Sequence, residues 1–445
     1  MLEGTHESRE DLARLFRGEG TAAEAQRVAE HVLVCKECWS RASGAMADRE
    51  AVGEIAAAGP LRTLVDLYRM EQDRADNRVA AQKALPQIRS LGVKTRREKV
   101  RLTRALHTVS FLEALVAEGN GPLPPAESEE MFNLAFIVAK QLPEPKFSAA
   151  IKNDLAAECC GEIANARRRS ARWTATREAL KRSFDYAEKG SRNPVVEGKI
   201  LCVEGALEND LGNFSLAGEI LRRAAGLFES VSNVLLWSRT LVQLANACVE
   251  VDPVESLRAA DQALAVIPLN NPRLTMLAEG VKVEGLIALG KPRQALARFE
   301  ELRDLHEQFL EPFVQLRRRF TLARILDGLG DLEGAVSLAD EVIAGDIEQG
   351  FMKQLFLDLV VLFGIYLRHG QPDGAISVCR RAIRELSLLR DEEGSDKAAR
   401  EQMRTVWQRL EDGVRRGTVQ AGATAVMKRY VTAHWRTPAP ELPGF

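Results

Sequence analysis

Apolar positions along this chain recur at the spacing of a helix with one buried face. Leu61, Leu64, Val65 and Tyr68 fall at i, i+3, i+4 and i+7, and near the far end Met403, Val406, Trp407 and Leu410 form a similar stripe. Residues 75 to 118 read as two further helices. The second is introduced by Thr95-x-x-Glu98 and carries Val100, Leu102, Leu106, Phe111, Leu112 and Leu115. Breakers divide the chain: Ala58-Gly59-Pro60 predicts a hinge, Gly119 to Pro125 a loop, and Arg390 to Asp396 a polar connection. The divisions are 1–58, a helical region 60–118, an array 131–388, C-terminal helices 396–435, and an extended proline-containing tail 436–445.

Within the array, Gly212, Gly290, Gly330 and Gly370 lie 78, 40 and 40 residues apart, and five positions after each stands Ala217, Ala295, Ala335 or Ala375. The longer gap holds a degenerate copy at Val251 to Ser256, and an earlier copy falls at Ala171-Arg-Trp173 with Thr176 in the small-residue place. The physical meaning is an antiparallel helix pair: glycine takes a left-handed turn after the first helix, and alanine lets the second approach closely.

The segments Leu211 to Ala217, Leu289 to Phe299 and Leu329 to Ala335 resemble tetratricopeptide repeats. The period exceeds the usual 34 residues, so lengthened first helices are expected, in five units between about 150 and 388 with room for one before them. First helices of such pairs usually line an inner wall. That places the wall near 197–210, 234–248, 275–288, 314–327 and 353–367, with Asn209, Asn246, Lys282, Arg318, Arg319 and Tyr366 as candidate partner contacts. The triplets Arg167 to Arg169 and Arg317 to Arg319 read as solvated helix surface, because adjacent helical residues point apart. The C-terminal stripe suits a cap on the exposed end of the array, with Trp407 packed.

A different chemistry sits near the start. His31, Cys35 and Cys38 place an imidazole and two thiols within two helical turns, three good zinc ligands. Zinc prefers four, and His6 is the only other His or Cys among the first hundred residues. A helix from Ser8 to Arg17, packed on the His31 helix, would bring it into reach. No β-α-β pattern surrounds the thiols, as a redox Cys-x-x-Cys would require. A segment with so few large apolar side chains gains from a metal what its core lacks. Thr21 and Glu24 have capping-box spacing, so the second helix begins there, and Cys38 falls near the start of a third.

The order His6, short amphipathic helix, Gly18-Glu-Gly20, Thr21-x-x-Glu24 and His31-x3-Cys35-x2-Cys38 resembles the zinc-binding anti-sigma factor domain over roughly the first 45 to 75 residues. The resemblance implies Zn2+ held by His31, Cys35, Cys38 and a variable upstream His6, in a domain that clasps a sigma factor. It also implies that a fourth helix completes the grip, and Leu61, Leu64, Val65 and Tyr68 occupy that place. Equally, that helix is the first packed element of the region that follows.

Composition narrows the rest. Lys and Arg total 61 against 63 Asp and Glu, so no bulk charge drives the chain toward nucleic acid or an acidic membrane. The basic run Lys94 to Arg101, interrupted by Glu98, reads as solvated helix. Seven cysteines in 445 residues, with no framework outside Cys35 and Cys38, fit a reducing compartment, and Cys159, Cys160, Cys202, Cys248 and Cys379 read as core. No signal-peptide pattern or membrane-length apolar run is visible, so a cytoplasmic location is expected. There is no phosphate loop, nucleophile elbow, His-Glu-x-x-His pair or dinucleotide fingerprint, and His107, His306, His369 and His434 stand isolated. An enzyme is not expected.

The expectation is an all-α regulatory binding protein: a small zinc-binding helical domain followed by an α-solenoid. The first would sequester a sigma factor, and the second would receive a signal or second protein. The alternatives are a scaffold or adaptor with the zinc domain as docking module, and a solenoid receptor for a peptide or small ligand.

Overall fold

The computed structural model describes residues 6–16, 19–47, 61–144, 146–389 and 397–419, with short helical stretches at 423–424, 427–428 and 431. The expected hinge at Ala58 to Pro60, the polar connection from Arg390 to Asp396 and the tail from Thr437 lie outside the described residues, as does most of the segment Ala421 to Trp435. The described chain is all-α, and none of its helices is long and apolar enough to cross a membrane. It forms two compact units, one within Met1–Ala166 and Ala175–Ile200, the other within Arg167–Thr174 and Leu201–Phe445.

The first unit begins with α1 (Arg9–Phe16), α2 (Ala22–Val34) and α3 (Lys36–Ala47), whose Leu12, Leu15, Phe16, Val28, Val32, Ala42 and Met46 form one small core. Helix α4 (Leu61–Arg89) runs 29 residues, where the pattern suggested a division before residue 75. Its first turns close that small core with Leu61, Leu64 and Val65. Farther on, Met70, Ala81 and Ile88 join a second core, with Phe111, Leu115, Met131 and Phe147. One continuous helix thus serves two apolar clusters, with Pro86 accommodated inside it.

The helix expected from Thr95 to about 115 is in fact two, α5 (Val93–Leu102) and α6 (Val109–Gly119), joined by a turn of 3-10 helix at Arg104–Leu106. Local and distant caps explain the break. The Phe111 amide donates to Thr108 Oγ1 at 3.2 Å, and buried Asp73 accepts from the Val109 amide at 2.8 Å while Lys146 Nζ pairs with it at 2.8 Å. Leu102, read as core, is exposed. Helices α7 (Pro125–Gln141), α8 (Ala149–Arg169), α9 (Trp173–Glu188) and α10 (Pro194–Asp210) follow, and α7 packs against α6.

The second unit continues as helix pairs: α11 (Phe214–Ser230), α12 (Val234–Cys248), α13 (Pro253–Val266), α14 (Pro272–Ala288), α15 (Pro292–Glu301) with α16 (Arg303–His306), α17 (Pro312–Leu329), α18 (Leu332–Gln349), α19 (Met352–Arg368) and α20 (Pro372–Leu388). The repeat reading holds in its physical particulars. Gly212, Gly290, Gly330 and Gly370 all take positive φ, and Ala217, Ala295, Ala335 and Ala375 are fully buried. In the degenerate copies Asp252 caps α13 through the Glu255 amide, and Ala171 takes the left-handed turn itself at φ 50°. The long period is shared by both helices of a pair, not added to the first alone: α17 and α18 are 18 residues each. Matched lengths keep the apolar seam continuous from one pair to the next.

Gly330 has φ +86° and open space where a Cβ would stand. Gly330→Ala should therefore cost about 1–2 kcal/mol from backbone conformation alone, and Gly330→Asn less, as read from urea midpoints. Equal costs would mean that side-chain contact, not backbone, sets the turn.

Helix α21 (Lys397–Arg415) caps the last pair. Met403 and Trp407 are fully buried, the Trp407 ring meets Phe363 edge-on at 6.1 Å, and Val406 and Leu410 pack alongside.

Candidate metal centre

The two helices that carry the thiols are made by local chemistry. Thr21 Oγ1 accepts from the Glu24 amide at 3.2 Å and starts α2, as the capping-box spacing predicts. The helix ends at Val34. Cys35 leaves it in extended conformation (φ −103°, ψ 107°) while its amide still donates to His31 O at 2.9 Å, and α3 begins at once. That one-residue kink turns Cys38 back toward His31. His31 and Cys35 are thus joined across a helix end, not along one continuous helical face.

The short segment before α1 brings the fourth group. Arg41 donates to Glu7 O at 3.1 Å and pairs with Glu37, Arg27 pairs with Glu7 at 2.9 Å, and His6 Nε2 meets Glu37 Oε2 at 3.1 Å. With Nε2 engaged, His6 Nδ1 points at the thiols, 3.5 Å from Cys35 Sγ and 3.5 Å from Cys38 Sγ. His31 Nε2 lies 3.2 Å from Cys38 Sγ, and the ligand atoms of all four residues fall within 4.8 Å of one another.

A tetrahedral ion with Zn–S near 2.3 Å and Zn–N near 2.0–2.1 Å separates its sulfur and nitrogen ligands by roughly 3.6 Å. The spacings here match that size, and the donor set of two thiols and two imidazoles is a zinc set. Bound there, zinc would supply no chemistry of its own. With four protein ligands it would pin α2, α3 and the segment before α1 together. Cys38 is completely buried. Burial pushes its thiol pKa up, whereas the Cys38 amide bonding to Cys35 pulls that thiol down. Glu37, which orients the His6 ring, is a residue that sequence reasoning passed over, although its place between the two cysteines was visible.

Burial also separates these thiols from the others. It raises Cys202 and Cys248 to about 11, and Cys379 to about 12. Iodoacetamide at neutral pH should therefore spare those three in the folded chain and label Cys35 only after chelation. Rapid labelling of Cys248 or Cys379, read by peptide mass spectrometry, would contradict this burial.

The other candidates are spread more widely. Leu61, Leu64 and Val65 are buried in the N-terminal core and Tyr68 packs beside it, so in this conformation they are structural. Asn246 and Arg318 line one cavity of the second unit. Asn209 is half-buried outside that lining, Arg319 is exposed, Lys282 pairs with Asp261 at 2.6 Å, and the Tyr366 ring lies against Gly374. Two of the Arg317 to Arg319 triplet are not solvated surface. Arg317 bridges Asp346 at 2.9 Å and Asp358 at 2.8 Å, and Arg318 lies over the Phe299 ring. Sequence spacing had placed the three on different faces but not the carboxylates opposite them.

No protein-family profile and no curated protein matches the chain. Solved structures do. A Rap protein complexed with competence and sporulation factor is 15% identical, with 71% of this chain and 83% of that one covered at a TM-score of 0.53. The apo form of the quorum sensor NprR from B. thuringiensis is 14% identical, with coverage of 78% and 97% and a TM-score of 0.47. At 15% identity the likeness to the Rap protein is one of fold, and the described chain is an all-α solenoid of tetratricopeptide-like helix pairs.

Proposed function

We propose that this chain is a cytoplasmic regulatory binding protein. Its zinc-held N-terminal domain sequesters a sigma factor, and its tetratricopeptide-like array receives a signal or a second protein that changes access to the first site. The observation that carries this reading is the convergence of His6, His31, Cys35 and Cys38 within 4.8 Å, on the helix order of the zinc-binding anti-sigma domain. The solved Rap protein, complexed with competence and sporulation factor, supports the second half: a solenoid of this fold holds a factor.

Burial of Leu61, Leu64 and Val65 adds a condition. For these residues to meet a sigma factor, the start of α4 must detach from α1–α3, so partner binding competes with closure of the small core. The same burial favours a second reading, in which α4 stays closed and the zinc domain docks an adaptor through its outer surface.

The test is affinity capture from native extract under reducing conditions, comparing the full chain with a His31→Ala, Cys35→Ala double variant. A sigma factor retained by the full chain and lost by the variant supports the first reading. Retention of the same non-sigma partner by both overturns it in favour of the adaptor.

A further inference from the structure

We propose that a cavity of about 350 Å3 in the second unit binds an apolar carboxylate, with Arg318 and His306 receiving the anionic group beside the Phe299 ring. This deepens the reading above and rests on it in one respect, that the array receives a signal.

The cavity is lined by successive first helices, α12, α14, α17 and α19. Its walls are mainly apolar, with Met276, Phe313, Phe320 and Leu357 among them. The cations there are matched, with one exception. Arg317 pairs with Asp346 and Asp358, Arg324 with Glu284, and Lys428 with Glu250. Arg318 has no carboxylate within ion-pair distance among the described residues. Its guanidinium stands 5.6 Å from the Phe299 centroid.

His306 is only 7% exposed, and its Nδ1 has no hydrogen-bond partner among the described residues. Its ring lies 5.8 Å from the same Phe299 ring, so Arg318 and His306 flank one aromatic side chain. Burial first, and the Arg318 charge second, lower the imidazole pKa, so the ring is neutral at pH 7 and one nitrogen carries a proton to donate. A buried polar group left unpaired costs about 1–3 kcal/mol. Here it shares the Phe299 ring with an unmatched cation, and in the tautomer with the proton on Nδ1 it donates to the carboxylate that Arg318 attracts. Asn246, in the same lining, has no side-chain hydrogen bond among the described residues and offers a donor and an acceptor to the rest of the ligand.

The volume fixes the size class. About 350 Å3 lies near the lower end of ligand cavities, enough for one aromatic or branched side chain with its carboxylate. Two sources present that chemistry, a free small acid and the C-terminal residue of a peptide.

The experiment is calorimetric titration of the full chain with N-acetylphenylalanine, its amide, and N-acetyl-pentaalanyl-phenylalanine with a free C-terminus. Both free acids should bind, and the amide at least about tenfold more weakly, as loss of a charge-assisted hydrogen bond implies. Arg318→Gln should erase the preference for acid over amide, and Arg318→Lys should keep part of it. A peptide that binds about tenfold tighter than the single residue identifies a peptide terminus as the source; equal affinities identify a free acid. No binding at millimolar concentration, equal binding of acid and amide, or a preference that survives Arg318→Gln overturns the proposal. Acid preference in a chain that captures no sigma factor would leave the cavity standing and remove the reading above, and a captured sigma factor without acid preference would do the reverse.

Discussion

Removing the metal with a chelator, or replacing Cys35 by serine, is expected to melt α1–α3 while the array keeps its structure. Cys35 is the better substitution because it sits half-exposed at the helix junction, so its packing contribution is small. Cys38 is completely buried, and its loss would mix metal and core effects. Structural zinc contributes an apparent free energy of about 10–16 kcal/mol in small zinc-held folds, more than a segment of about 40 residues holds from its own core. Hydrogen exchange read by mass spectrometry should show protection lost across residues 9–47 and retained from α6 onward. The first turns of α4, which share the small core through Leu64 and Val65, should loosen with it. Unchanged protection in the chelated chain would mean that Leu12, Phe16, Val28 and Val32 suffice to hold the domain.

Trp407→Ala is expected to cost about 3–5 kcal/mol, the range for large aromatic truncations in a core. Its ring is fully buried against Phe363 at the end of the array, in a cluster that also holds Met403, Phe356 and Val414. In a solenoid each pair is stabilised by its neighbours, so losing the cap should expose α19 and α20 first. The indole carries its own penalty, because Nε1 is buried without a hydrogen-bond partner among the described residues. Trp407→Phe removes that group and keeps an aromatic edge near Phe363, so it should cost much less than alanine. Guanidinium melts of the two variants decide the matter. Equal losses would mean that an aromatic edge near Phe363 contributes nothing and that only the whole indole fills the site.

The repeat was legible because its signals are local. A glycine that must take positive φ and an alanine that must vanish into a helix contact leave marks at fixed spacing, and Gly212, Gly290, Gly330 and Gly370 do so with their alanines. The grouping of His6, His31, Cys35 and Cys38 was legible from a short list of histidines and cysteines, although the kink at Cys35 that turns Cys38 back was not. Non-local pairings were not legible. Nothing around Thr95 announces that Asp73 and Lys146 will cap a helix at Val109, and so one helix was read where two exist. The same limit hid the inner cavity. His306 looked isolated, and Arg318 looked like part of a solvated triplet. Only the packing of α15, α16 and α17 sets both against Phe299. The assignment of Leu61, Leu64 and Val65 stayed double for a thermodynamic reason: an apolar stripe that can close its own domain can also close on a partner.

The measurement that tests the central claim most directly is the metal content of the purified full chain by inductively coupled plasma mass spectrometry, beside the His31→Ala, Cys35→Ala variant. The account predicts equimolar zinc in the native chain and none in the variant, with the array still folded by circular dichroism. A native chain that carries no zinc after growth and purification in zinc-containing medium, while α1–α3 remain folded, would contradict it.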